Sequence, residues 1–238
     1  MKISINKIHL LNKEENEYCI MIENNLVEIK KLNFKEVYLT FLNTKPEIKE
    51  WETRMSNYLQ TNEINWEKEW LKLHDSINNP YVKSSLWEMH HLNFWSGYRA
   101  KERCSLCKEL EQDITHILNN CSILKEILRT FNIHNKCDTK MNITFGMDKE
   151  PLTNFILYHI KSVVFRSRFT AFPSKEVCKV SLISKCRQNI KKDLRIRFNL
   201  AKLKGKIEEF TSRFMQNSTP NSLEVCVFNN NNELEFTW

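Results

Sequence analysis

Glycine is the most informative shortage in this 238-residue chain, which has three glycines, Gly97, Gly146 and Gly205. A loop that cradles a phosphate needs several glycines within a short span, so that backbone N–H groups can approach the anion. No two of these glycines are close in the sequence. The pattern therefore excludes both the nucleotide-binding P-loop and the dinucleotide-binding fingerprint.

Aspartate is also scarce, and no aspartate is adjacent to another. The five are Asp75, Asp113, Asp138, Asp148 and Asp193. A two-metal polymerase or nuclease needs clustered carboxylates that hold two ions about 4 Å apart. Because neither such a cluster nor an activated nucleophile can be assembled from local motifs, the sequence predicts a protein that is not an enzyme.

Long apolar runs are missing as well, and the longest, such as 155–157, cover only a few residues. A membrane-spanning helix needs about 20 consecutive apolar residues, so we expect no membrane partner. The first residues lack the apolar stretch and small-residue cleavage site of a secretory signal. We therefore expect an intracellular protein, nuclear or cytoplasmic, in which metal binding by its eight cysteines outranks a disulfide framework.

Four potential metal ligands follow one another at finger-like spacing. They are Cys104, Cys107, His116 and Cys121. The two-residue spacer in the first cysteine pair lets both thiolates of a tight turn reach one tetrahedral ion. The histidine lies on a predicted short helix, and the last cysteine follows the end of that helix. The sequence thus predicts one structural Zn²⁺ on these four side chains, with a set of inert buried thiols as the alternative.

Other cysteines and histidines are weaker candidates for metal ligands. His134 and Cys137 are close enough in sequence to the last ligand to act as substitutes, and the pair at 90–91 could reach the site from the preceding helix. The remaining cysteines lie on apolar strand or helix faces, where thiols pack as small apolar groups. They are Cys19, Cys178, Cys186 and Cys226.

Positive charge is concentrated in one segment of a chain whose formal net charge is +7. Residues 151–213 hold 15 Lys/Arg against 4 Asp/Glu, a net charge of +11, which makes a polyanionic partner plausible. An ordinary solvated face is the alternative. The cations expected to bind nucleic acid are Arg99, Lys101, Arg103, Arg166, Arg168, Arg187, Lys191, Lys192, Arg195 and Arg197, and we also expect phosphate contacts from Lys161, Lys185, Lys202, Lys204 and Lys206.

Capping residues and periodicity predict a mainly α fold. Asn33, Thr44, Asn65 and Asn79 can each cap a helix, the second running to about residue 60 and the fourth, opened with Pro80, to about 92. Further helices are predicted at 114–119, at 122–132 with Ser122 as its cap, at 151–171 and at 174–214. Alternating apolar residues and asparagine-rich turns predict short β-hairpins at both termini.

The 174–214 helix carries a predicted apolar stripe at steps of three to five residues. Its members are Val177, Val180, Ile183, Cys186, Ile190, Leu194, Phe198, Leu203, Ile207, Phe210 and Phe214. We expect a bundle-like arrangement of helices around a small Cys₃His zinc module. The three predicted regions are a tryptophan-rich segment at 1–93, helical from about 34, the zinc module at 94–132, and a basic helical region at 133–238.

Residues 87–131 resemble the zinc-binding module at the C-terminal end of non-LTR (LINE-like) retrotransposon reverse transcriptases. Those modules carry C-x-x-C, a short acidic stretch, a helix with a polar-His-aliphatic pattern, and a cysteine that opens another helix. The corresponding segments here are 104–107, 109–113, 114–118 and 121–124. The resemblance extends over about 34–210, through the upstream tryptophans and through 143–146 and 160–168 downstream.

The family's polymerase depends on adjacent aspartates, which this chain lacks, and its endonuclease is absent too. The chain thus resembles the non-catalytic end of such a polyprotein, as a truncated or degenerate transposon product or a reused module. The resemblance implies a zinc-stabilised module that binds RNA or DNA with low sequence preference. Trp95 and Tyr98 either stack on unpaired bases or fill the core. The alternative is a helical protein–protein interaction module with a structural zinc site.

Overall fold

The computed structural model describes residues 19–22, 25–28, 46–61, 63–90, 103–109, 116–215, 225–230 and 233–237. Within these ranges the chain has eight α-helices, one π-helical turn and two short antiparallel hairpins. The predicted mainly α fold class is confirmed. The chain divides into two compact units, Met1–Asn57 and Tyr58–Trp238, and the predicted three-region division stays a prediction.

The first unit contains a hairpin and most of the first helix. Strand β1 (Cys19–Ile22) pairs with β2 (Asn25–Glu28), and Ile20 lies opposite Val27, so the predicted N-terminal hairpin is present. Helix α1 (Pro46–Leu59) begins with its proline in the first turn and ends one residue before the predicted end. The predicted helix that follows Asn33 lies outside the described residues.

Two helices open the second unit, and both begin at their predicted caps. Helix α2 (Trp66–Ser76) follows Asn65, whose side chain accepts a hydrogen bond from the Lys68 backbone N–H. Helix α3 (Pro80–His90) follows Asn79, whose side-chain oxygen accepts from the Tyr81 N–H at 3.0 Å. These bonds satisfy N–H groups that the first turn of a helix leaves without partners.

The central part of the unit is a π-helical turn (His116–Asn120), followed by α4 (Ser122–Thr130) and α5 (Lys140–Phe145). The prediction that Ser122 caps α4 is wrong. Cys121 occupies the cap position without a side-chain hydrogen bond, and Ser122 is the first helical residue. The sequence patterns did not predict α5, which Thr139 caps by accepting from the Asn142 N–H at 3.0 Å.

Helix α6 (Pro151–Ser167) is the centre of the second unit, and α2, α3, α4, α7 (Lys175–Leu203) and α8 (Ile207–Phe214) pack against it. Every residue of α6 is buried except Pro151 and Arg166. An ordinary amphipathic helix buries one stripe. Because α6 buries nearly its whole circumference, its polar side chains must find their partners inside the protein.

The predicted single helix at 174–214 is in fact two helices. Gly205 has φ +65°, its N–H donates to Lys202 O at 3.2 Å, and the Lys206 N–H donates to Ala201 O at 2.8 Å. This pair of bonds is the Schellman motif, in which a left-handed residue, usually glycine, ends a helix. The chain then turns and restarts as α8.

The predicted apolar stripe of α7 is correct in its middle and wrong at both ends. Leu203, in the last turn, is exposed. Val177 and Val180 are exposed, and the buried row is Cys178, Leu182, Cys186, Ile190, Leu194 and Phe198. A row at every fourth residue winds around a helix of 3.6 residues per turn by about 40° per step. Near its start α7 meets α4, where Lys179 pairs with Glu126, and near its end Phe198 contacts Phe210 of α8 and Phe228 of the C-terminal hairpin.

The C-terminal hairpin is present as predicted. Strand β3 (Cys226–Phe228) pairs antiparallel with β4 (Leu234–Phe236), and the Asn229 N–H donates to Glu233 O at 2.9 Å beside the turn. Strand β4 packs against α7. None of the helices in the described residues is long and apolar enough to span a bilayer.

Candidate metal centre

The four predicted ligands come together in the second unit. The ligand atoms of Cys104, Cys107, His116 and Cys121 all lie within 4.8 Å of one another, and all four residues are buried. Cys107 Sγ and His116 Nε2 lie 3.2 Å apart. Sulfur and nitrogen ligands on one tetrahedral zinc ion are separated by about 3.5–3.8 Å, given Zn–S near 2.3 Å and Zn–N near 2.0 Å. The cluster is compatible with one such ion.

Two backbone hydrogen bonds shape the turns that bring these side chains together. The first cysteine pair lies in a turn closed by the Lys108 N–H, which donates to Cys104 O at 2.8 Å, while Lys108 takes φ +63°. The second pair is joined by a π-type bond, from the Cys121 N–H to His116 O at 2.7 Å. A π-turn inserts an extra residue into the helical repeat, so side chains five apart face the same side.

The cluster is fastened to the junction between α6 and α7. The hydroxyl of Ser105, inside the first turn, donates to the backbone oxygen of Arg168, just after α6. Lys175, the first residue of α7, forms an ion pair with Glu109 at 2.6 Å. Exposed pairs of this kind contribute little energy, but the hydroxyl bond is partly buried and holds the turn in position.

Proton sharing within the cluster already favours thiolates. A hydrogen bond from Cys121 lowers the pKa of Cys104 to about 3 and that of Cys107 to about 6. The same bonds raise the pKa of Cys121, so it keeps its proton, and a hydrogen bond to Cys104 raises the pKa of His116. Metal ligation needs deprotonated thiols, and a bound dication would displace the proton that Cys121 keeps.

The substitute ligands considered above lie apart from this cluster. Cys137 is buried, and burial raises its pKa to about 11, while His134 is exposed. Neither belongs to the group of mutually close ligand atoms. The side chain of His90, together with His91, lies outside the described residues. Three of the four cysteines expected to pack are buried, namely Cys178, Cys186 and Cys226, and for Cys19 the structure describes only the backbone.

The predicted nucleic-acid-binding cations have different placements. Arg99 and Lys101, like Trp95 and Tyr98, lie outside the described residues, and Arg103 is exposed. On α7 and after it, the exposed members are Lys185, Lys192, Arg195, Lys202, Lys204 and Lys206, and the half-buried ones are Arg187 and Lys191. Lys191 and Arg195 lie 5.4 and 5.2 Å from the ring centre of Phe236.

Two of the expected cations donate hydrogen bonds to backbone oxygens inside the protein. Lys161 is 2% exposed, donates to Thr144 O at 2.7 Å, and has its pKa lowered to about 7 by burial. Arg197 donates to Ser76 O at 3.1 Å and lies 3.5 Å from the carboxylate of Asp193. For Lys161 the expectation of a phosphate contact is wrong, because its ammonium group is enclosed by the fold. Helical spacing alone did not reveal which of these cations would be buried. Their burial depends on which neighbouring helices pack against α6 and α7.

The sequence patterns also missed a network of polar side chains in the second unit, which we call the carbonyl-capping network. Four successive backbone carbonyls at the end of α5 accept hydrogen bonds from side chains of α2 and α6. The acceptors are residues 144–147, and the donors in the same order are Lys161, Tyr158, Lys72 and Asn154. The carbonyls of residues 144–146 are ones that the end of α5 leaves without intrahelical partners, and Met147 follows the cap residue Gly146. The donors on α6 recur at positions 154, 158 and 161, which is helical spacing, and that spacing was the available signal.

The donor set defines what the metal cluster can do. Three cysteines and one histidine form a closed four-ligand set, which is the arrangement of structural zinc sites, whereas catalytic zinc keeps a position open for water or substrate. The cluster can therefore fix the geometry of its own segment and of the α6–α7 junction. Comparison with models of known protein families, with curated proteins and with solved structures finds no match to this chain.

Proposed function

We propose that this chain is a zinc-stabilised, non-catalytic nucleic-acid-binding module. The observation that carries the proposal is the attachment of the four-ligand cluster to both sides of the α6–α7 junction. Ser105 bonds to the Arg168 backbone oxygen just after α6, and Glu109 pairs with Lys175 at the start of α7. Helix α7 carries four exposed cations, Lys185, Lys192, Arg195 and Lys202, more than any other helix in the described part of the chain. One Zn²⁺ held by Cys104, Cys107, His116 and Cys121 would thus fix the position of a basic surface.

The exposed cations of α7 suit a phosphate backbone. Lys185 and Lys202 lie 17 residues apart on one helix, which corresponds to about 26 Å along its axis. Phosphate contacts give affinity with little sequence preference and a steep loss with salt. The resemblance of 87–131 to the zinc-binding end of LINE-like reverse transcriptases supports the same proposal, with the chain as a truncated or degenerate transposon product.

Binding of purified protein to single-stranded RNA and DNA at 50 and 200 mM salt tests the nucleic-acid part. We expect affinity to fall by about tenfold or more between the two, because even two or three phosphate contacts release that many counterions. The matched variants are Lys192→Gln and Arg195→Gln together, against Lys68→Gln on α2 as a control cation. Absent binding at low salt, or affinity indifferent to salt, would contradict the proposal.

A helical protein-interaction module is the second candidate, and one observation favours it. Ile196, Leu200 and Leu203 are exposed on α7, the last at 83%, and their spacing of four and three residues is that of a helix-packing seam. A partner helix would cover this face. Light scattering decides between the candidates, because a stable dimer or complex that ignores nucleic acid would favour the second.

A further inference from the structure

Two exposed aromatic side chains lie beside the C-terminal end of α6, and each has an arginine against its ring. Tyr81, in the first turn of α3, is 71% exposed, and the guanidinium carbon of Arg166 lies 5.3 Å from its ring centre. Phe169, just after α6, is 59% exposed, and Arg168 lies 4.2 Å from its ring centre. The two arginines are two residues apart in the chain.

Both arginines are held by backbone oxygens and so form rigid supports. Arg166 donates to the oxygen of Tyr81 at 2.7 Å and to the hydroxyl of Ser85. Arg168 donates to the oxygen of Phe165 at 2.7 Å, and its guanidinium lies 3.5 Å from the Phe165 ring centre. Each exposed ring is therefore supported on one side by a fixed cation and is largely open to solvent.

We propose that Tyr81 and Phe169 are stacking platforms for unpaired bases of a single-stranded nucleic acid, an inference that rests on the proposed function. Every base has a π face, so stacking on an aromatic ring accepts any sequence. A guanidinium beneath the ring adds an attraction to its electron-rich face.

A single strand fits these rings better than a duplex does. Bases in a duplex are already stacked on one another and leave no free face for a side chain. Scattered single apolar residues are normal on protein surfaces. What sets this pair apart is the repeated arrangement of exposed ring and fixed arginine at one end of α6. Both arginines belong to the segment 151–213, whose net charge is +11.

Among the described contacts, the metal cluster is connected to the Phe169 platform and not to the Tyr81 platform. The hydroxyl of Ser105 donates to the backbone oxygen of Arg168, so the first cysteine turn holds the residue that precedes Phe169. Tyr81 is held by contacts between α3 and α6 that do not involve the cysteine turn. Removal of zinc should therefore impair the contribution of Phe169 more than that of Tyr81.

The test uses the full-length, zinc-loaded protein and two fluorescent probes, a 20-nucleotide oligouridylate and a mixed-sequence 20-base-pair duplex, at low salt. Tyr81→Ala and Phe169→Ala should each weaken binding of the single strand by about 5- to 100-fold and change duplex binding less than twofold. Phe169→Trp should keep single-strand affinity. Leu71→Ala, at another exposed apolar position (54%), is the matched control, and circular dichroism checks folding of each variant.

The outcomes separate the two proposals. If the wild-type protein binds neither probe, the proposed function fails and the platforms fail with it. If the wild type binds the single strand but both alanine variants stay within twofold of it, the platforms alone are overturned. Equal losses on the single strand and the duplex would also overturn them, since stacking on unpaired bases affects only the single strand.

Discussion

The second unit holds two buried polar clusters that are completed in different ways. The Cys/His cluster at 104–121 brings four ligand atoms within 4.8 Å of one another, an arrangement that a metal ion would complete. The carbonyl-capping network at 144–147 is complete within the protein, because each carbonyl has its own side-chain donor. Buried polar groups are costly without partners, so the two regions should respond differently to metal removal and to mutation.

Metal removal gives the largest expected difference. Cys107→Ser should lower zinc content from about one per chain and unfold the segment around residues 103–130, since structural zinc contributes on the order of 10 kcal/mol in small modules. Elemental analysis and thermal unfolding measure both effects. Cys137→Ser is the matched control, because Cys137 is buried outside the cluster. Equal zinc content in the two variants would contradict the assignment of ligands.

Gly146→Ala tests the carbonyl-capping network. Gly146 has φ +81°, and a Cβ added there would lie 2.5 Å from the side-chain oxygen of Asn154 and 2.7 Å from that of Tyr158. We expect a loss of about 3–5 kcal/mol in the free energy of unfolding, from left-handed strain together with overpacking. Zinc content should not change.

Gly205→Ala is the control for backbone strain alone. Gly205 also has a positive φ, +65°, but nothing lies within 4 Å of an added Cβ. The expected loss is about 1–2 kcal/mol. Equal losses for the two substitutions, measured by urea denaturation, would show that the contact with Asn154 and Tyr158 is unimportant.

The last effect is the pH dependence that Lys161 creates. Burial lowers the pKa of Lys161 from 10.5 to about 7 in the folded protein. Between these values the unfolded chain binds more protons, so stability rises with pH across that window, and the full cost of burying the ammonium is present below pH 7. Lys161→Met should remove this slope, a difference of about 2–3 kcal/mol between pH 7 and 9.

Urea denaturation of wild type and Lys161→Met at pH 7 and pH 9 measures the change. The comparison between the two proteins cancels the titration of thiols and tyrosines that both contain. Identical pH dependence in the two would mean that the Lys161 ammonium is not buried in solution as it is in the structure.

Local sequence signals were sufficient wherever one short segment determines a structural feature. Asn65 and Asn79 open their helices, and the asparagine-rich stretch near the C-terminus turns a hairpin. The ligand set was predictable for the same reason, because a C-x-x-C turn brings two thiols together without help from the rest of the chain. Gly205 was a local signal too, and a glycine within a long helical pattern is where a helix end should have been predicted.

Which faces are covered depended on packing between distant segments. The buried residues of α7 are spaced four apart and follow the contacts of this helix with α4 and then with α8. Val177 and Val180 are therefore exposed, although they match a helical stripe. Lys161 is enclosed because α6 is surrounded by neighbouring helices, and no property of its own segment indicates that. Spacing along the chain was enough to predict the four residues of the Cys/His cluster and the helix starts, since both show as local sequence patterns. Tertiary contacts decided which cations and aromatic rings face solvent, since burial depends on what packs from elsewhere.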